Sequence, residues 1–297
     1  MINLEGRVVI LDPGHYALKT NVYKGYDEQV AMLSLALKIK PLLEKSGATV
    51  LLTRSDGSTV TLAQRAAMVN VWSLEALYRK RIDDYRKNFD TNFSFEDAMA
   101  LESADYDLLS EDTKTLIAEL KEIQSLINVM RSIIDDADAP NYMNDPYCPD
   151  RTMQPLLARI FEIQEQGNAY LTEHYIFISL HSNGTPEPID ESKYGANVFY
   201  VSNSNQKYAR KYACEKTNMV FGDILLEQIE KTGIANKGLM EANFYVIREH
   251  NIPGVLAENG FHTNDADREK LLSEDYLQSL AVSYHDAIQK YFRQKPL

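Results

Sequence analysis

Apolar runs too short for helices, each closed by polar residues, constrain this chain most. Val8-Val9-Ile10-Leu11 runs into Asp12-Pro13-Gly14-His15, and Tyr175 through Leu180 runs into His181-Ser182-Asn183. Gly254-Val255-Leu256-Ala257 runs into Glu258-Asn259-Gly260. Continuous apolar runs bounded in this way are the pattern of strands covered on both faces. Thr49–Thr53, Ala196–Tyr200 and Phe244–Ile247 read as further strands. Between them, Val30, Leu33, Leu37 and Ile39 recur near helical period from about Asp27 until Ser46-Gly47 stops the helix. Helices also fit the intervals around residues 205 to 232 and 274 to 293. Strands alternating with helices predict a largely parallel α/β sheet with helices on both sides.

Residues 73 to about 170 break that rhythm and read as helix after helix. Leu116, Leu120, Ile123, Ile127, Met130 and Ile134 alternate spacings of four and three, which is a coiled-coil seam. Leu156, Ile160, Ile163, Gly167 and Tyr170 repeat the pattern in a second helix. The stretch from Asp138 to Asp150, rich in Pro, Asn and Asp, reads as the loop between them. The two seams are expected to bury each other as a helical hairpin. This segment carries some 20 acidic and 10 basic residues, so most of the formal net charge of −12 lies in it. The expected organisation is one α/β unit from residues 1–72 and 170–297, interrupted by a helical insert subdomain at 73–169.

The negative balance excludes a nucleic-acid partner, which needs a basic face. No apolar run approaches the roughly 20 residues of a membrane span. Cys148 and Cys214 make no disulfide framework and no zinc knuckle, and two thiols are expected rather than a bridge. Met1 to Gly6 runs straight into the first strand without a signal-peptide pattern. Export is therefore expected to use a segment outside this sequence, or release to occur by another route.

Ligands of open α/β sheets bind outside the carboxyl ends of the strands. His15, His181 and Glu258 would then share one sheet edge, with Glu28 at the start of the first helix close behind. Each residue also has an ordinary structural explanation. A histidine after a strand is commonly a hydrogen-bonded loop residue. Glu28 can complement the positive end of a helix dipole. Glu258 can be a buried acid paired with a lysine or arginine.

The residue types nevertheless fit one chemistry. Catalytic zinc takes three protein ligands, often two histidines and a glutamate, and keeps a fourth position open. A further carboxylate must take a proton from water and deliver it to the leaving amine. His15, Glu28 and His181 supply such a ligand set and leave Glu258 for proton transfer. No local HExxH pattern is present, so the fold must assemble the ligands.

At these residues the chain resembles the zinc-dependent N-acetylmuramoyl-L-alanine amidases of the type 3 family. The likeness runs through Ile10-Leu11-Asp12-Pro13-Gly14-His15, Glu28, and Leu52-Thr53-Arg54 with Leu62-Ala63-Gln64-Arg65. It continues in Ile178 to Asn183, Asn236-Lys237-Gly238, and Pro253 to Glu258 followed by Gly260-Phe261 and Asn264. The resemblance implies a three-layer α/β sandwich with a twisted, mostly parallel six-stranded sheet. It implies one zinc ion per chain on His15, Glu28 and His181, with Glu258 as the catalytic carboxylate. It further implies a peptidoglycan substrate, cut between N-acetylmuramic acid and the L-alanine of the stem peptide, at the cell envelope or after endolysin-type release. Two departures stand out: Tyr16-Ala17-Leu18-Lys19-Thr20 replaces the usual Gly-rich stretch after the first histidine, and the helical block lies outside the family core. That block is a candidate docking surface for a regulatory protein. Competing readings are a zinc peptidase acting on wall peptides and an inactive peptidoglycan-binding protein. A two-zinc peptidase needs more ligands than these blocks supply, and the inactive protein would not need the full set. The remaining histidines, His174, His250, His262 and His285, are read as structural or surface residues.

Overall fold

The computed structural model describes residues 2–15, 21–88, 106–107, 109–136, 153–204 and 210–294. The expected Asp138–Asp150 loop, the Tyr16–Thr20 departure and Cys148 therefore lie outside the described residues. Among the described residues the strands are β1 (Val8–Pro13), β2 (Val22–Tyr23), β3 (Tyr26–Asp27), β4 (Thr49–Leu52), β5 (Tyr175–Asn183), β6 (Ala196–Tyr200), β7 (Asn236–Glu241) and β8 (Gly254–Phe261). The helices are α1 (Glu28–Lys45), α2 (Leu62–Asn88), α3 (Glu111–Asp135), α4 (Gln154–Gln166), α5 (Asn168–His174), α6 (Glu215–Glu230), α7 (Tyr245–Arg248), α8 (Asp265–Leu272) and α9 (Glu274–Arg293).

The six-stranded sheet has the order β4-β1-β5-β8-β6-β7. Strands β4, β1, β5 and β8 are parallel, β6 runs antiparallel to β8, and β7 is parallel to β6. The mostly parallel sheet with helices on both faces is as expected. Alternation along each strand divides the core in two. Val9, Leu11, Ile176, Ile178, Val255 and Ala257 pack with α1, α6 and α9. Ile10, Phe177 and Leu256 face the other way, onto a layer built from α2, α3, α4 and α7. Burial on both faces explains why these strands carry no polar alternation.

The run Phe244–Ile247 is not a strand. Tyr245–Arg248 forms the short helix α7, and its apolar residues pack into the second core layer. The remaining strand is β7, whose largely exposed residues carry little apolar signal. A short apolar run cannot by itself distinguish a strand from a buried helical turn.

The expected hairpin between the two seams also differs. Helix α3 lies antiparallel along α2, with Tyr85 Oη 2.6 Å from Thr113 Oγ1 and Arg131 Nη2 2.6 Å from Glu75 Oε1. Leu116 and Leu120 pack against Tyr78, Ile82 and Tyr85 of α2. The second seam breaks at Gly167, between α4 and α5; its Ile160 and Ile163 are buried, with Leu157 and Phe161 beside them, in one apolar cluster with Ile123, Ile127 and Met130 of α3. A seam fixes which face of a helix is buried but not which partner covers it. Helix α2 runs unbroken through residues 72 and 73, the expected junction between α/β unit and insert. No helix among the described residues is long and apolar enough to cross a membrane.

Candidate active site

The carboxyl ends of β1, β5 and β8 lie side by side, and the site grows from their register. Pro13 is opposite Leu180, and His181 is opposite Glu258. Glu28 reaches the same edge because Asp27 caps α1, accepting from the Gln29 N–H at 3.1 Å, so that Glu28 is the first helical residue. Capping by an Asx side chain satisfies a backbone donor at the helix start and fixes where the helix begins.

His15 sits in the left-handed region at φ 60°. A non-glycine residue there needs the surroundings to hold it. Arg54 and Arg65 do so. Arg54 donates to the carbonyls of Pro13 at 2.9 Å, Gly14 at 2.8 Å and Gln29 at 2.7 Å. Arg65 donates to the Pro13 carbonyl at 2.7 Å and to the His15 carbonyl. Arg65 is anchored by the buried carboxylate of Asp12, which also accepts from Ser179 Oγ at 2.6 Å and from Thr53. Burial opposes charge on Asp12, yet the Arg65 guanidinium and the hydroxyl donors hold its carboxyl below the usual range. Gly14 has no room for a side chain: a Cβ there would collide with the His181 ring.

These constraints bring three ligand-type groups together. Glu28 Oε1 lies 3.0 Å from His15 Nε2 and 3.2 Å from His181 Nδ1, and those two nitrogens are 3.1 Å apart. The group can hold a metal ion, with all three ligand atoms within 4.8 Å of one another. Glu28 also accepts the Ser182 N–H at 2.8 Å. Burial works against charge on Glu28, but the two histidines beside it hold its carboxyl down to about 2.

Glu258 stands apart in character. It is buried, and among the described residues it has no lysine or arginine partner and its Oε2 no hydrogen-bond partner. Burial pushes its carboxyl up to about 8, with His181 opposing and Glu28 adding to the shift. His15, Glu28, His181 and Glu258 all line one open cavity of about 650 Å³, with Asn183, Thr185, Ile189 and Phe244 on its walls. No described residue from the 73–170 segment lines this cavity.

Sequence reading did not foresee every wall residue. His262, read as structural or surface, lines the cavity, as do Asn21 and Tyr23. The Asn21 amide nitrogen lies 2.7 Å from His15 Nδ1. A signal for His262 existed in its position just beyond the strand that carries Glu258. By contrast, His174 contacts the Tyr170 carbonyl, His250 is buried against Phe177, and His285 lies beside Ser46.

Comparison with known proteins follows the same geometry. A sequence profile described as N-acetylmuramoyl-L-alanine amidase matches residues 9–78 and 150–290. The N-acetylmuramoyl-L-alanine amidase LytC of Bacillus subtilis is 27% identical over 144 residues, 47% of this chain and 27% of that protein. The chain spans about half or less of the length of the first curated relatives it matches. The amidase Ami1 of Mycobacterium smegmatis shares the fold with a TM-score of 0.56 at 15% identity, covering 98% of this chain and 99% of that one. CwlD of Clostridioides difficile, solved in complex with the GerS lipoprotein, has a TM-score of 0.50 at 19% identity, covering 97% and 99%. With the profile matched over both parts of the sheet and at every strand end that forms the site, this chain belongs to the N-acetylmuramoyl-L-alanine amidase family.

Proposed function

We propose that the chain is a zinc-dependent hydrolase that cleaves the amide between the lactyl group of N-acetylmuramic acid and the L-alanine of the peptidoglycan stem peptide. The observation that carries this reading is the meeting of His15, Glu28 and His181 beside a buried carboxylate with an unpartnered oxygen, all on one cavity. Two imidazole nitrogens and one carboxylate oxygen suit zinc and leave a coordination position open. His15, Glu28 and His181 would hold one ion per chain. When bound there, zinc supplies Lewis acidity toward water and the scissile carbonyl.

The rest of the work falls to the chain. Arg54 and Arg65 hold the His15 loop by its carbonyls, and the Ser182 N–H fixes Glu28. Glu258 accepts a proton from the attacking water at its open carboxylate oxygen and returns it to the alanine nitrogen as the amide breaks. Burial raises the Glu258 carboxyl, which favours its holding the proton between the two halves of that transfer. Such a substrate places the protein's action at the cell envelope.

Digestion of purified wall fragments with mass analysis of the products tests this reading. Intact glycan strands plus free stem peptides are expected. Cleavage between amino acids of the stem would identify a peptidase instead.

The partner proposed for this protein is a regulatory protein docking on the helical segment. Its support is that residues 79–149 fall outside the family profile and that none of the segment's described residues lines the cavity. The lipoprotein complex of the related CwlD adds to that support. Ala118 and Ser125 are exposed on α3. Ala118→Arg and Ser125→Arg should leave cleavage of soluble fragments unchanged and alter activity in cells. Unchanged activity in both settings would sink the idea.

A further inference from the structure

His262 is built into the cavity wall with more support than a surface residue needs. Its ring stacks on Tyr26, with centroids 5.5 Å apart and planes 19° apart. Tyr26 Oη donates to Ser182 Oγ at 2.8 Å, so the stacking ring is itself tied to the end of β5 beside His181. The His262 backbone is fixed at both ends: its N–H donates to the Asn183 carbonyl at 2.8 Å, and its carbonyl accepts from Arg268 at 3.2 Å. The ring packs so closely on Gly184 that a Cβ there would lie 2.5 Å from His262 Nε2.

The hydrogen bonds favour a proton on Nδ1. His262 Nδ1 lies 3.1 Å from the Ser182 carbonyl oxygen, which can only accept, and 3.2 Å from Ser182 Oγ, which can accept or donate. A proton on Nδ1 satisfies both oxygens, whereas a lone pair there would face the carbonyl oxygen; with Nδ1 protonated, Nε2 of the neutral ring holds a lone pair. Burial lowers the affinity of the ring for a second proton. Nε2 has no hydrogen-bond partner among the described residues, and the side chain faces the cavity that holds the proposed ligands and Glu258.

We infer that His262 Nε2 is a substrate-binding acceptor that holds a secondary-amide N–H flanking the scissile bond. The inference rests on the proposed function for the identity of the substrate. Two groups of that substrate offer the required donor: the acetamido N–H of the muramic acid and the second amide N–H of the stem peptide. An acceptor held rigid by stacking and backbone contacts loses little conformational freedom on binding, which is how such a contact contributes to selectivity.

The test uses zinc-loaded full-length protein carrying Glu258→Gln, so that binding is read without turnover. The probe is a soluble N-acetylmuramoyl peptide, and the readout is Kd. His262→Phe keeps a ring against Tyr26 and removes the acceptor; it should weaken binding about 3- to 10-fold, the range for one neutral hydrogen bond. His262→Gln keeps an acceptor and should bind within about 2-fold of the parent. Two ester analogues, one replacing the acetamide and one replacing the second stem amide, identify the donor. The analogue lacking it should bind the parent more weakly by the same factor and bind His262→Phe no more weakly than the intact probe does.

Equal binding by the parent and by a His262→Phe protein of normal melting temperature and zinc content would overturn the inference. So would two analogues that bind the parent as tightly as the intact probe, whatever the variants do. Wall digestion by the protein with Glu258 intact is scored separately. Its failure would remove the proposed function, whereas a null result in the binding cycle alone would remove only the role of His262.

Discussion

Arg54 donates to the Gly14 carbonyl at 2.8 Å, so a side chain from just beyond β4 grips the backbone immediately before His15. The same guanidinium reaches the Pro13 and Gln29 carbonyls, linking the His15 loop to the first turn of α1, where Glu28 sits. One side chain thereby fixes the spacing between two proposed zinc ligands. Arg54→Ala should lower zinc affinity about 10- to 100-fold, the usual effect of removing an outer-shell support. Arg54→Lys should restore little, because an ammonium cannot reproduce the planar fork. Zinc titration of the purified variants measures this, and wild-type affinity in Arg54→Ala would refute it.

His15→Ala and His181→Ala should each lose zinc and activity together, since each removes one of three protein ligands. Metal analysis of the purified variants is the check. Full zinc occupancy in both would end the ligand assignment.

Glu258→Gln should keep its zinc and lose turnover. An amide cannot accept the water's proton, and positioned acid–base groups contribute about 10²–10⁴-fold. The measurement is the initial rate on wall fragments alongside metal content. A variant retaining most of the wild-type rate would assign proton transfer to another group.

How much of this was legible without coordinates varies by element. The strand ends at His15, His181 and Glu258 were readable because β1, β5 and β8 are buried on both faces and so appear as unbroken apolar runs. Glu28 was readable through the Asp27 cap. Strand β7 was hidden because its side chains are largely exposed. Phe244–Ile247 misled because its apolar residues are buried as a helical turn. The support that Arg54 and Arg65 give the His15 loop could not be read as chemistry, since what they grip there are backbone carbonyls, which leave no pattern in sequence. His262 follows directly on β8, which carries Glu258, but its stacking on Tyr26 and its contacts with Ser182 come from the fold.

His250 supplies a pH dependence away from the proposed zinc ligands. It is buried against Phe177, and burial lowers its pKa from 6.5 to about 4. Between those values the unfolded chain binds a proton that the folded protein does not, so stability rises with pH across that window. The contribution amounts to ~3 kcal/mol between pH 4 and 6.5. Denaturant unfolding of the metal-free protein at pH 5 and pH 7 should show about 2 kcal/mol of that rise, and His250→Phe should flatten it. An unchanged slope in a folded His250→Phe protein would assign the effect elsewhere.

The last prediction concerns whether the helical segment can be removed. Leu74 and Leu77 of α2, Ile123 and Ile127 of α3, and Ile160 of α4 share one apolar cluster with Ile10, Phe177 and Leu256 of the sheet. These helices therefore cover a sheet face as well as one another. Burying a large aliphatic or aromatic side chain is worth about 1.5–3 kcal/mol, so uncovering the three sheet residues alone approaches the ~5–15 kcal/mol that keeps a domain folded. Replacing residues 73–169 with a short Gly/Ser linker should then yield protein without a cooperative unfolding transition. The milder Ile127→Ala should fold and lose ~2–5 kcal/mol. Calorimetry of both variants decides the matter. A trimmed protein that melts cooperatively and binds zinc would show that the sheet carries its own core and that the helices are an independent subdomain.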